Sequence, residues 1–187
     1  MDRRVKYTKK IIKNTFLELL SKKDIKKISV SELCSKADIN RATFYRYYLD
    51  VFDLLDSIKK EFETELKAAY VPKNERENTV LNFSKAMLAV FLENKELVKI
   101  LFNTNNGIYF LNSILEIAYT RCKERWEKDL PDISQEDMEY ASVFIFNGAL
   151  GVVNFWVQND FDKDIEEIST IIETLSYFGT RRYIYKK

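Results

Sequence analysis

The sequence predicts an all-α protein in which a small N-terminal helical module precedes a larger helical domain, and three observations carry that expectation. Only four Gly and two Pro occur in 187 residues, too few to turn the chain through a sandwich or barrel but enough for long helices. Apolar residues recur at three- and four-residue intervals along most of the chain, the period of helices that bury one face. Hydrophobic residues make up 46% and charged residues 32%, a globular composition that can bury a core without disulfides.

The elements follow in order. Ile11, Ile12, Phe16, Leu19 and Leu20 mark a first amphipathic helix from Thr8, its expected N-cap, to Leu20. Ser29 and Glu32 have capping-box spacing and open a short second helix to about Ala37. Asp38-Ile39-Asn40 allows only a tight turn, and Asn40 caps a third helix, Arg41 to Tyr48. Asp50 caps a fourth, reaching about Ala69, and Pro72 ends it. A stripe from Val80 to Leu92 continues less regularly through Leu97, Ile100 and Leu101, before an expected loop at Asn103 to Gly107. Further helices are expected at Ile108 to Lys128, at Ser134 to Gln158, and from Ile165 onward. The resulting division is residues 1–49 and 50–187, with 50–69 as connector.

Charge and chemistry narrow the function. Residues 1–50 carry 13 Lys/Arg against 6 Asp/Glu, so the net charge of +1 divides into +7 there and −6 beyond, and polyanion binding belongs at the basic end. The chain has no His, and its two cysteines, Cys34 and Cys122, are isolated. Zinc sites and Cys-His or Ser-His catalysis are thereby excluded, no cofactor is called for, and no Asp/Glu pair stands out for carboxylate catalysis. An enzyme is not expected. The start MDRRVKYTKKII lacks the apolar run of a signal peptide, and no stretch is expected to reach the length of a membrane span, so the expected location is cytoplasmic.

Two short helices joined by a three-residue turn have the spacing of a helix-turn-helix, whose second helix enters the DNA major groove. With Phe44 and Tyr48 inward, Arg41, Ala42, Thr43, Tyr45, Arg46 and Tyr47 turn toward the outside and sides. Guanidinium groups, a threonine and phenols are the donors and apolar edges that phosphates and base edges accept. Ser29 offers cap-exposed amides to a phosphate, and Lys36 adds positive charge together with Lys6, Lys9 and Lys10.

At these residues the chain resembles the tetracycline-repressor (TetR/AcrR) family, whose signature runs from a "T-V-x-x-I-A" segment to "T-[LF]-Y-x-x-F". Here the two stretches read Ser29-Val30-Ser31-Glu32-Leu33-Cys34 and Thr43-Phe44-Tyr45-Arg46-Tyr47-Tyr48. The resemblance implies a homodimeric regulator with three N-terminal helices on a pseudo-palindromic operator and a C-terminal domain that binds a small-molecule effector and its twin. It departs from the family at Asp38, where a turn glycine is common, and at Tyr48 in place of Phe. It departs also at Val51, where the family often has a phosphate-gripping lysine. A repressor released by its effector is the leading expectation; an activator of the same architecture, or an adaptor with a degenerate helix-turn-helix, is the alternative.

The same resemblance implies an apolar effector pocket between C-terminal helices, for which Phe83, Met87, Phe91, Phe110, Tyr119, Trp126 and Phe144 are the candidates. Acidic residues including Glu116 and Glu139 are better read as solvated helix faces than as partners of a cationic effector. The last two helices are the expected dimer surface, with Ile145, Gly148, Val152, Phe155, Ile168, Ile172 and Leu175 assigned to it.

Overall fold

The computed structural model describes residues 3–74, 76–103, 114–120, 123 and 133–184. Among them the chain is helical with no β-strand, and it divides into two compact units, Met1–Thr64 and Glu65–Lys187. The fourth helix, expected as the connector, runs across that division.

In the first unit, α1 spans Arg3–Leu20 and buries Ile12, Phe16 and Leu19. It starts five residues before the expected cap. Thr8 lies inside the helix and its hydroxyl donates back to the Arg4 carbonyl at 2.9 Å, an intrahelical bond open to any Thr. A single 3₁₀ turn, Ile25–Lys27, is capped by Asp24 and tucks Ile25 inward. Helix α2, Val30–Lys36, is capped by Ser29, whose Oγ accepts the Glu32 N–H at 3.1 Å. The Glu32 carboxylate does not complete the capping box; it accepts from Lys23 at 2.6 Å instead. Helix α3, Arg41–Tyr45, and α4, Val51–Ala69, follow. Each of the four helices buries a large side chain fully: Phe16, Leu33, Phe44 and Leu54 in turn. Cys34 is buried with them, and burial pushes its thiol up, as suits a small hydrophobe.

The second unit contains α5 (Val80–Glu93), α6 (Lys95–Asn103), α7 (residues 114–120), α8 (Gln135–Gln158) and α9 (Ile165–Ile184). The stripe that reads as one helix from Val80 to Leu101 is broken at Asn94, whose side chain donates to Val90 O at 3.0 Å and to the Glu65 carboxylate at 3.1 Å. Helix α9 packs on both α5 and α8, and α6 packs on α8. Contrary to expectation, α8 is long and apolar enough, by length and composition alone, to cross a membrane. Its apolar character has a local reason on one face, where Met138, Ile145, Val153, Trp156 and Val157 are buried in the unit.

The turn from α8 to α9 places Asp160 and Phe161 successively at φ 58° and 59°. Left-handed backbone at two consecutive non-glycine residues costs about 1 kcal/mol or more each. Side chains hold it in place. Trp156 Nε1 donates to Lys163 O at 2.8 Å, the Trp156 and Phe161 rings meet edge to face at 4.8 Å, and the Lys95 ammonium sits 5.2 Å from the Phe161 ring centre. Lys99 pairs with the Asp160 carboxylate, which lowers that acid's pKa.

Candidate nucleic-acid interface and effector cavity

The turn before α3 is built from Ala37 to Asn40. Asp38 takes φ 51°, the left-handed region where Asp is among the better-tolerated residues, and the Ile39 N–H reaches back to Cys34 O at 3.0 Å. Asn40 Oδ1 then accepts the Ala42 N–H at 2.8 Å and starts α3. Regular helix ends at Tyr45, three residues short of expectation. Tyr48 N–H still donates to Phe44 O at 3.1 Å, so the side chains keep helical phase through Tyr48.

That phase sorts the residues. Phe44 is fully buried and Tyr48 nearly so, their rings 5.7 Å apart, while Arg41, Ala42, Tyr45 and Arg46 are exposed and Thr43 and Tyr47 half-buried. Tyr45 packs edge to face on Phe44 at 5.6 Å, which fixes the exposed phenol against a buried ring. Lys9 from α1 lies over the Tyr47 and Tyr48 rings at 5.6 and 5.8 Å. Neither Arg41 nor Arg46 forms an ion pair among the described residues, so both guanidinium groups keep their donors available. The Tyr48 hydroxyl is pushed up to about 12, by burial first and then by the Glu61 and Asp53 carboxylates, with a Ser57 hydrogen bond opposing.

Two of the expected contacts stand differently from the rest. Lys36 donates to Glu18 at 2.6 Å, and Glu18, also held by Lys22 at 2.8 Å, has its carboxyl lowered to about 2 by these two lysines. Ser29 has its hydroxyl engaged as the α2 cap. The start of α4 is closed as well. Val51 is buried, and Asp50 Oδ1 accepts the N–H groups of Phe52 and Asp53 at 2.8 Å while Asp53 returns the bond, accepting from Leu49 N–H at 2.9 Å. Two carboxylates on satisfied amides give a phosphate no purchase there. The pattern Asp50-x-x-Asp53 carries this cap in the sequence.

In the second unit Phe83, Met87 and Phe91 line a cavity of about 90 Å³ together with Ile145, Phe146 and Ile172. Tyr119 lies instead on a neighbouring open depression, its ring 6.1 Å from Phe146. Phe144 is 71% exposed and faces away from the cavity, while Phe110, Trp126 and Cys122 lie outside the described residues. The residues expected at the dimer surface divide by burial. Ile145, Ile168 and Ile172 are buried in the protomer's own core, because α8 is apolar on two sides and its inward line contains Ile145. Phe155 and Leu175 are exposed, at 71% and 58%, Gly148 is exposed and Val152 half-buried. Phe144, Tyr140, Val143 and Phe178 share that outward character and were not assigned to it from the sequence.

A capped helix-turn-helix followed by a helical unit with an apolar cavity is an arrangement that suits a DNA-binding transcriptional regulator. Residues 78–177 match the TetR-type "Transcriptional regulator C-terminal region". The chain belongs to the TetR family of transcriptional regulators. Over 59 residues it is 37% identical to an uncharacterized HTH-type transcriptional regulator, YxbF, of Bacillus subtilis; the match covers 31% of this chain and only 16% of that relative. Solved structures of like fold include the fatty acid degradation regulator FadR of Bacillus halodurans, with TM-score 0.70, 19% identity, and 93% of this chain and 96% of that chain covered. The dihydroxyacetone kinase operon activator DhaS aligns with TM-score 0.67 and 20% identity over 94% and 97%. A SmeT–triclosan complex aligns with TM-score 0.65 and 14% identity over 92% and 90%.

Proposed function

We propose that this regulator acts as a homodimer on a pseudo-palindromic operator, represses transcription there, and leaves the DNA when a small molecule occupies the cavity of its second unit. The observation that carries the reading is the sorting of α3: Phe44 and Tyr48 anchor it from within while Arg41, Tyr45 and Arg46 stand exposed, the guanidinium groups without an ion pair among the described residues. Arg41, Ala42, Thr43, Tyr45, Arg46 and Tyr47 are the proposed DNA contacts, with Lys9 and the amide end of α2 at Ser29 on the backbone. Lys36 joins them by exchanging the Glu18 carboxylate for a phosphate, a small cost for an exposed pair.

The dimer surface proposed is the outward face of α8 and α9, where Phe144, Phe155, Leu175 and Phe178 form the kind of exposed apolar area that a partner covers. Two linked copies place two recognition helices on adjacent half-sites, which one short helix needs to bind tightly. Triclosan held by a protein of the same fold supports the cavity as effector site. The test is a gel shift on the DNA flanking the chain's own gene. Arg41→Ala or Tyr45→Ala should weaken binding by about 1–3 kcal/mol with the fold intact, and wild-type affinity should fall steeply with salt. Binding that ignores salt and both substitutions overturns the reading.

A further inference from the structure

The cavity in the second unit has a chemistry that names a ligand class, an inference that rests on its role as effector site. Its wall is apolar: Phe83, Met87, Phe91, Ile145, Phe146 and Val153 carry no charged or hydrogen-bonding group, and no charged residue lines it among the described residues. Two hydroxyls reach it, those of Ser84 and Ser176. Both donate to their own helices, Ser84 to Val80 O at 2.6 Å and Ser176 to Ile172 O at 2.7 Å. A ligand carboxylate placed there would lose its hydration and gain no ionic partner, and an ammonium would gain only ring faces, which offset a small part of that loss.

The neighbouring space sharpens the point. Leu115 and Phe146 belong to the walls of both the cavity and the open depression of about 450 Å³ beside it, which is lined on its far side by Glu116 and Glu139. An anionic head group reaching past Phe146 therefore meets carboxylates of its own sign. A cationic head group meets carboxylates that are exposed to water, where attraction is largely screened. Size adds a further bound. A cavity of about 90 Å³ is smaller than the ~150 Å³ void that accepts benzene, so only a compact ligand can enter, and only as the pliable Met87 side chain gives way.

We propose that the effector of this regulator is a small, uncharged, apolar molecule seated among Phe83, Met87, Phe91 and Phe146. The experiment uses three probes with one six-carbon tail: hexanol, hexanoate and hexylamine. The full chain, labelled with ¹³C at the methionine methyls, is titrated with each in the absence of DNA. Met87 lines the cavity and Met138 does not, so the two methyls separate occupancy from nonspecific effects. The expected result is a saturable shift of the Met87 methyl with hexanol, larger than any at Met138, and binding at least about tenfold weaker for hexanoate and hexylamine. Equal or tighter binding of either ion overturns the proposed class, and a hexanol titration that leaves Met87 unmoved overturns the site. Hexanol that occupies the cavity without altering operator affinity counts against the release reading and leaves this one standing.

Discussion

The two units differ in what they leave uncovered. The first exposes Arg41, Tyr45 and Arg46 on a five-residue helix held by buried rings, and its outward chemistry is donors and cationic charge. The second exposes Tyr140, Phe144, Phe155 and Phe178 on helices of 24 and 20 residues, and its outward chemistry is aromatic. A polar, basic surface on a small rigid support suits a polyanion, whereas a wide apolar face on long helices suits another protein surface. The contrast separates the two proposed partners by residue type, and so by experiment.

The strongest challenge to that contrast is Phe44→Ala, which removes the fully buried ring on which the first unit's exposed residues depend. It should cost about 3–5 kcal/mol in denaturant unfolding and abolish operator binding, while the second unit's unfolding transition is retained. Loss of both transitions together would mean that the units do not behave independently. Phe155→Glu acts on the other side: the ring is 71% exposed, so protomer helicity by circular dichroism should be unaltered. Self-association measured by sedimentation should weaken by about 2 kcal/mol or more. An unchanged dimer would remove Phe155 from the interface.

Smaller effects probe the support of α3. The folded-state pKa of Tyr48 is raised to about 12 from an ordinary value near 10, so the unfolded chain releases this proton first. Stability from this group is intact below pH 10 and falls as pH rises toward 12; Tyr48→Phe should lack that component when melts are compared across the range. Smallest is Asp38→Gly. The residue sits at φ 51°, where glycine relieves about 1 kcal/mol of strain but also loosens the unfolded chain. A net gain of a few tenths of a kcal/mol is expected by thermal unfolding, and a clear loss would show that the Asp38 carboxylate has a role in the turn.

Much of the first unit was legible because its signals are local. Ser29, Asn40 and Asp50 act within three residues of themselves, and Phe44 and Tyr48 differ from their neighbours by one turn of helix. The Lys36–Glu18 pair was not legible, since it joins residues 18 apart in the chain. In the second unit α8 misled the assignment of faces. A helix apolar on two sides has no single preferred direction, and the line through Ile145 reads as readily outward as inward until α6 and α9 pack on it. The break at Asn94 was equally hidden, because neither Gly nor Pro marks it and one of the bonds holding Asn94 reaches Glu65, 29 residues back in the chain.

One feature of α8 bears on how assembly and protomer stability are related. Gly148 and Gly151 sit in mid-helix, where each lowers helix stability by about 0.5–1 kcal/mol relative to alanine. A side-chain carbon built on either would meet no described atom within 4 Å, so the protomer has no steric need for them. Within a lone chain the pair is a pure weakness, a soft stretch in the middle of its longest helix. In the proposed dimer, an approaching backbone from the second copy would turn that bareness into a fitted seam. A helix weak in the lone chain would then gain its full support from assembly.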